Sequence, residues 1–88
     1  MDRTAILNDV CLLLDRVLQL DGRAMKFDEN TELLGAIPEF DSMAVVSFLT
    51  ALEERYGFVV DDDEISGETF ATVGSLSEFL EQKLAGGA

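Results

Sequence analysis

Apolar residues return at helical spacing in three separate stretches of this 88-residue chain, and no two stretches alternate in a way that would pair them as strands. In the first stretch Ile6, Val10, Leu13, Val17 and Leu20 fall on one helical face, and Leu7, Cys11, Leu14 and Leu18 widen it. That spacing predicts a helix over residues 4–20, contacted on more than one side. Asp2 or Thr4 is suited to cap its start, and Asp21-Gly22 to end it. In the second stretch Val45, Phe48, Leu49, Leu52 and Tyr56 predict a helix over 42–56, capped by Asp41 and stopped by Gly57. In the third, Val73, Leu76, Phe79, Leu80 and Leu84 predict a last helix of about a dozen residues, capped by Thr72 or by Ser75 with Glu78. With no βαβ alternation and no internal repeat, the expected fold is all-α, a small bundle of three main helices plus one short helix near 65–70.

The connections carry their own expectations. Residues 21–41 form a link of about twenty residues, and loops that long usually need an anchor or a function. Phe27 and the pair Leu33-Leu34 are the candidate anchors, and Gly35 and Pro38 punctuate the approach to the second helix. Phe58-Val59-Val60 favours extended backbone but has no partner strand, so it is expected to dock its apolar residues on the core. Residues 1–88 are expected to form one domain, with a tail at 85–88 that frays.

Charge narrows the function. Eighteen acidic residues face six basic ones, for a net charge of −12, and the excess is concentrated after residue 40. Such a chain repels nucleic acid and anionic membrane surfaces and attracts partners with basic patches. Histidine is absent, which removes Ser-His-Asp and Cys-His catalysis and any histidine-containing metal site. The single cysteine, Cys11, lies inside an apolar helical pattern and is expected to be a buried small hydrophobe. No segment approaches the ~20 apolar residues that span a bilayer, and the N-terminus does not open like a signal peptide, so a cytoplasmic protein without membrane insertion is expected. The run Asp61-Asp62-Asp63-Glu64 fails as a calcium loop, because Ser66 and Thr72 stand where the loop needs glycine and glutamate.

One residue is left without a structural task. If Asp41 caps the second helix, the Ser42 hydroxyl is free at the first helical position, at the positive end of the helix dipole. A phosphate attached there would be stabilised by the dipole and by the open N–H groups of the first turn. Ser42 therefore reads as an attachment point.

The surrounding residues resemble a known family. Asp41-Ser42-Met43, Val46, Leu49, Leu52-Glu53-Glu54, Tyr56-Gly57, Glu64, Phe70, Thr72-Val73 and Leu76 together look like the signature of acyl carrier proteins. The resemblance covers nearly the whole chain in length, helix order and acidity. It implies a four-helix bundle and a covalent 4′-phosphopantetheine arm on Ser42, taken from coenzyme A by a phosphopantetheinyl transferase. It implies a carrier that is not an enzyme, holding acyl or aminoacyl groups as thioesters and delivering them to acyl-loading and acyl-transferring enzymes with basic docking patches. It also implies that Asp41, Met43, Glu53 and Glu54 lie on or near the surface that partners read. A monomer is expected, with no resident metal.

Several residues depart from the family pattern. Phe40 stands where many members have a small residue, and is suited to shield the arm or fit a specialised partner. Ala44 and Ser47 stand where fatty-acid carriers often place acids, and Phe48 and Phe79 are bulky core choices. The pathway expected is fatty-acid synthesis or a specialised biosynthetic one, and these differences tilt the reading toward the specialised. The competing reading is an unmodified acidic adaptor that uses the same bundle to bind a basic protein. A small hydrolase with paired carboxylates would need a cleft larger than this chain offers.

Overall fold

The computed structural model describes residues 2–86. Its three α-helices are α1 (Arg3–Leu18), α2 (Ser42–Tyr56) and α3 (Val73–Gly86). The short helix expected near 65–70 is a 3-10 turn, Gly67–Phe70, and two more such turns lie at Arg23–Lys26 and Asp62–Glu64. No helix among the described residues is long and apolar enough to cross a membrane. Ala85 and Gly86 continue α3, and the rest of the tail expected to fray lies outside the described residues.

Capping decides where the helices begin. Asp2 accepts from the Ala5 N–H at 2.8 Å, so Asp2 caps α1. Thr72 accepts from the Ser75 N–H at 3.0 Å and Ser75 Oγ accepts from the Thr72 N–H at 3.0 Å, a reciprocal cap in which Glu78 takes no part. α1 stops two residues short of its expected end. Gln19 adopts left-handed backbone there with φ of 55°, and Asp15 holds the turn by accepting from the Gly22 and Ala24 N–H groups, both at 3.2 Å. Leu20 is still buried, reaching the core from outside the helix.

α1 packs against both α2 and α3, whereas α2 and α3 do not meet backbone to backbone. Side chains from all three helices and the first connection fill the core, including Leu14, Leu33, Phe48, Leu52, Leu76 and Leu80, each fully buried. Phe40 joins them at 2% exposure. Its ring meets Phe48 edge-on at 6.5 Å and Phe70 at 5.8 Å, centroid to centroid. The ring that was suited to shield an arm at the surface is instead a core residue, because burying it removes a large apolar area from water.

The long first connection is fastened to the entrance of α3. Leu33 N–H donates to Ala71 O at 2.9 Å and Leu34 N–H to Phe70 O at 3.1 Å. In return Val73 N–H donates to Thr31 O and Gly74 N–H to Glu29 O, both at 2.9 Å. Gly74 permits this approach, since a Cβ there would meet Glu29 O at 2.8 Å. Arg3 adds a polar clasp. Its guanidinium pairs with Glu29 at 3.1 Å and Glu81 at 3.3 Å, and donates to Gly74 O at 3.2 Å.

The second connection is gripped from two sides. Glu53 accepts from the Val60 N–H at 2.7 Å, while Lys83 donates to Val59 O at 2.9 Å and pairs with Glu64 at 2.8 Å. Phe58 stacks on Tyr56 with the Lys83 ammonium 5.5 Å from its ring centre. Phe58 docks on the core as expected, and Val60 is half-buried. Val59 stays 72% exposed, because the grips hold its backbone and leave its side chain facing water.

Candidate functional site

Ser42 is the first residue of α2, and its side chain is exposed. Asp41 is the cap, its carboxylate accepting from the Ala44 N–H at 2.9 Å and its carbonyl from the Val45 N–H at 3.0 Å. The cap leaves the Ser42 hydroxyl and the N–H groups of Ser42 and Met43 without partners among the described residues. Exposed hydroxyl, open N–H groups and the positive helix end coincide at one place. A phosphodiester fits there without displacing any bond the protein makes for itself.

Beyond the Asp41 cap, the surroundings of Ser42 are apolar. From Ser42 to Leu52 the helix carries no charged side chain. Met43 is 73% exposed and Val46 60%, and Leu34 in the first connection is 42% exposed. Leu34 had read as an anchor together with Leu33. The structure divides the pair, sending Leu33 into the core and leaving Leu34 at the surface. Beside Ser42 a cleft of about 320 Å³ opens, lined by Leu34, Val45, Ile65, Gly67 and Phe70. Ile65, Gly67 and Phe70 had no visible tie to Ser42 in the sequence, since a bend after α2 brings them back to its start. The Leu33-Leu34 doublet in a polar stretch was the signal available.

The other expected site residues separate. Asp41 and Met43 flank Ser42 at the surface. Glu54 is exposed near the far end of α2, about 18 Å along the axis at the usual helical rise. Glu53 is half-buried and spends a carboxylate oxygen on Val60, so it secures the second connection. The end of α2 is also tied to α1, with Tyr56 Oη donating to Asp9 and Arg55 pairing with Asp9 at 3.1 Å. Partial burial, and then the Asp9 hydrogen bond, push the Tyr56 hydroxyl above its ordinary pKa. Cys11 is buried as expected, and burial pushes its thiol up too, which keeps it in the unreactive form. Among the described residues no group of three or more acids and thiols is placed to hold a metal ion.

Comparison with known proteins gives concordant findings. A family model described as phosphopantetheine attachment site matches residues 8–80. The solution NMR structure of a holo acyl carrier protein from Nitrosomonas europaea is 53% identical in sequence and superposes with a TM-score of 0.83, over 90% of this chain and 95% of that one. No curated protein matches.

Proposed function

The chain belongs to the acyl carrier protein family, whose members bear phosphopantetheine and are carriers rather than enzymes, and we propose that Ser42 is where this one bears its arm. The observation that carries the reading is the unpartnered, exposed Ser42 hydroxyl beside two open N–H groups at the start of α2. Asp41 prepares the site by taking the cap, so that the serine oxygen is not drawn into a local hydrogen bond. The Ser42 and Met43 N–H groups face the charge that a phosphodiester would bring. The arm, when attached, supplies a terminal thiol able to hold an acyl group as a thioester.

Delivery requires partners that bind briefly. The net charge of −12 steers basic surfaces toward the chain, and the exposed Met43 and Val46 offer a small apolar contact next to Ser42. Glu54 is free to meet a basic residue at the far end of α2, and Asp41 at the near end. Glu53 contributes mainly by holding the second connection. The pathway we favour is a specialised one, because α2 has no acid between Ser42 and Leu52 to present to an enzyme that reads charge there. We expect the carrier to work as a monomer in the cytoplasm.

The test is intact mass after incubation with coenzyme A, Mg²⁺ and a broad-specificity phosphopantetheinyl transferase. The wild type gains the mass of one phosphopantetheine, and Ser42→Ala gains none. An unmodified wild type, or a modified Ser42→Ala, contradicts the assignment, and the former would favour the unmodified adaptor.

A further inference from the structure

Between Leu33 and Phe48 in the sequence only Phe40 is buried, and it stands two residues before Ser42. Glu39, Asp41, Ser42 and Met43 around it all face water. Turns tie it back to the other buried anchor of the first connection. Phe40 N–H donates to Ile37 O at 3.0 Å, and Ile37 N–H to Leu33 O at 2.9 Å. The Phe40 ring meets Phe48 of α2 with 83° between planes, and Phe70 of the second connection with 51°. One side chain therefore joins both connections to α2 at the point where α2 begins.

That position has a consequence. An apolar residue just before a helix cap often packs on the fourth residue of the helix and fixes the angle at which the chain enters it. Phe40 precedes the Asp41 cap. Its ring meets Phe48, deeper along α2 than that usual partner, and Phe70 holds it from a second element. Asp41 has no such hold of its own. It is exposed, and its bonds to the Ala44 and Val45 N–H groups last only while its backbone enters α2 at the right angle.

We propose that Phe40 is a positioning residue for arm attachment: its ring, packed against Phe48 and Phe70, sets the entry of the chain into α2 and so holds the Ser42 hydroxyl in place for the transferase. The inference rests on Ser42 as the attachment site. In the transfer, Ser42 Oγ forms a bond to the phosphorus of coenzyme A that carries pantetheine. The bond from that phosphorus to the bridging oxygen breaks. Adenosine 3′,5′-bisphosphate leaves with the electron pair, and the hydroxyl proton passes to a base on the transferase. Phe40 touches none of these atoms and acts through Asp41. Attack at phosphorus depends on placement, and an error of about 1 Å costs about 10²-fold in rate.

The experiment follows arm transfer from coenzyme A by a phosphopantetheinyl transferase with Mg²⁺, over a range of carrier concentrations. The carriers are the wild type, Phe40→Ala, Phe40→Leu and Leu80→Ala. Leu80 is fully buried on α3, and none of the residues lining the Ser42 cleft lies on α3. Its truncation weakens the core comparably to that of Phe40. Unfolding withdraws carrier from the reaction, so it raises the apparent KM and spares kcat. A misplaced hydroxyl on a folded chain lowers kcat. Phe40→Ala is expected to lower kcat about tenfold and Phe40→Leu, which keeps a smaller apolar hold, about threefold. Leu80→Ala keeps the wild-type kcat. Amide hydrogen exchange at Ala44 and Val45, read on the unmodified proteins, speeds up relative to the other helices in the Phe40 variants alone. Should Phe40→Ala not fold, Phe40→Leu decides. A wild-type kcat in Phe40→Leu, an equal kcat loss in Leu80→Ala, or exchange at Ala44 that ignores Phe40 overturns the positioning role. A wild type that accepts no arm removes the Ser42 assignment and the role with it, and the exchange rates tell that failure from a failure of Phe40 to hold the cap.

Discussion

Three single residues carry costs or permissions that follow from their positions. Gly74 lies under the Glu29 carbonyl, where a methyl group would sit 2.8 Å from a backbone oxygen. Gly74→Ala is expected to lower stability by about 1–3 kcal/mol in chemical denaturation, despite alanine's better helix propensity, because the connection must be pushed away. Ser77 is completely buried, and its hydroxyl has no partner among the described residues. Ser77→Ala is expected to stabilise by about 1 kcal/mol and raise the melting temperature, since it removes an unsatisfied polar group and favours the helix. Asp41 was legible as a cap from sequence because capping is local. Asp41→Ala is expected to cost about 1 kcal/mol. Phe40 was not legible. Nothing within a few residues of it reveals that Phe48 and Phe70 wait to receive its ring, and its place beside Ser42 suggested the surface.

The element with the most to teach is the second connection, residues 57–72, which includes two 3-10 turns and walls the Ser42 cleft. Periodicity found the three helices because each repeats its apolar face several times, and α2 runs over the residues expected. It gave little for this connection, whose shape comes from single long-range grips. Lys83 reaches it from α3 and Glu53 from α2, and neither side chain advertises such a partner. Glu64 is the point where the grip is pH-sensitive. A hydrogen bond from the Asp61 N–H, and then the Lys83 ammonium, hold its carboxyl below the ordinary glutamate value. A lowered folded pKa stabilises the fold above the unfolded value, and that contribution is lost as pH falls through the folded one. The wild type is therefore expected to melt above Glu64→Gln near neutral pH. The gap closes as the pH is lowered below the ordinary glutamate range, read from paired melting curves. A gap independent of pH would mean that the Glu64 charge contributes nothing to the grip.

At the scale of the whole molecule, a net charge of −12 on 88 residues means that compactness works against repulsion. Millimolar Mg²⁺ or Ca²⁺ is expected to raise the melting temperature at low ionic strength, with a smaller gain in added salt. An unmoved curve would show that the acids are already well dispersed. The same charge could be read from sequence as a steering device, and so could the helix order and the freedom of Ser42. The Leu34–Ile65–Phe70 cleft could not, because it exists only where two connections fold back on the start of α2. The account turns on Ser42 as the point where the open helix end and the cleft meet. Intact mass after treatment with coenzyme A, Mg²⁺ and a phosphopantetheinyl transferase tests it most directly. One phosphopantetheine on the wild type and none on Ser42→Ala is the predicted result, and an unmodified wild type or an arm retained in Ser42→Ala would contradict it.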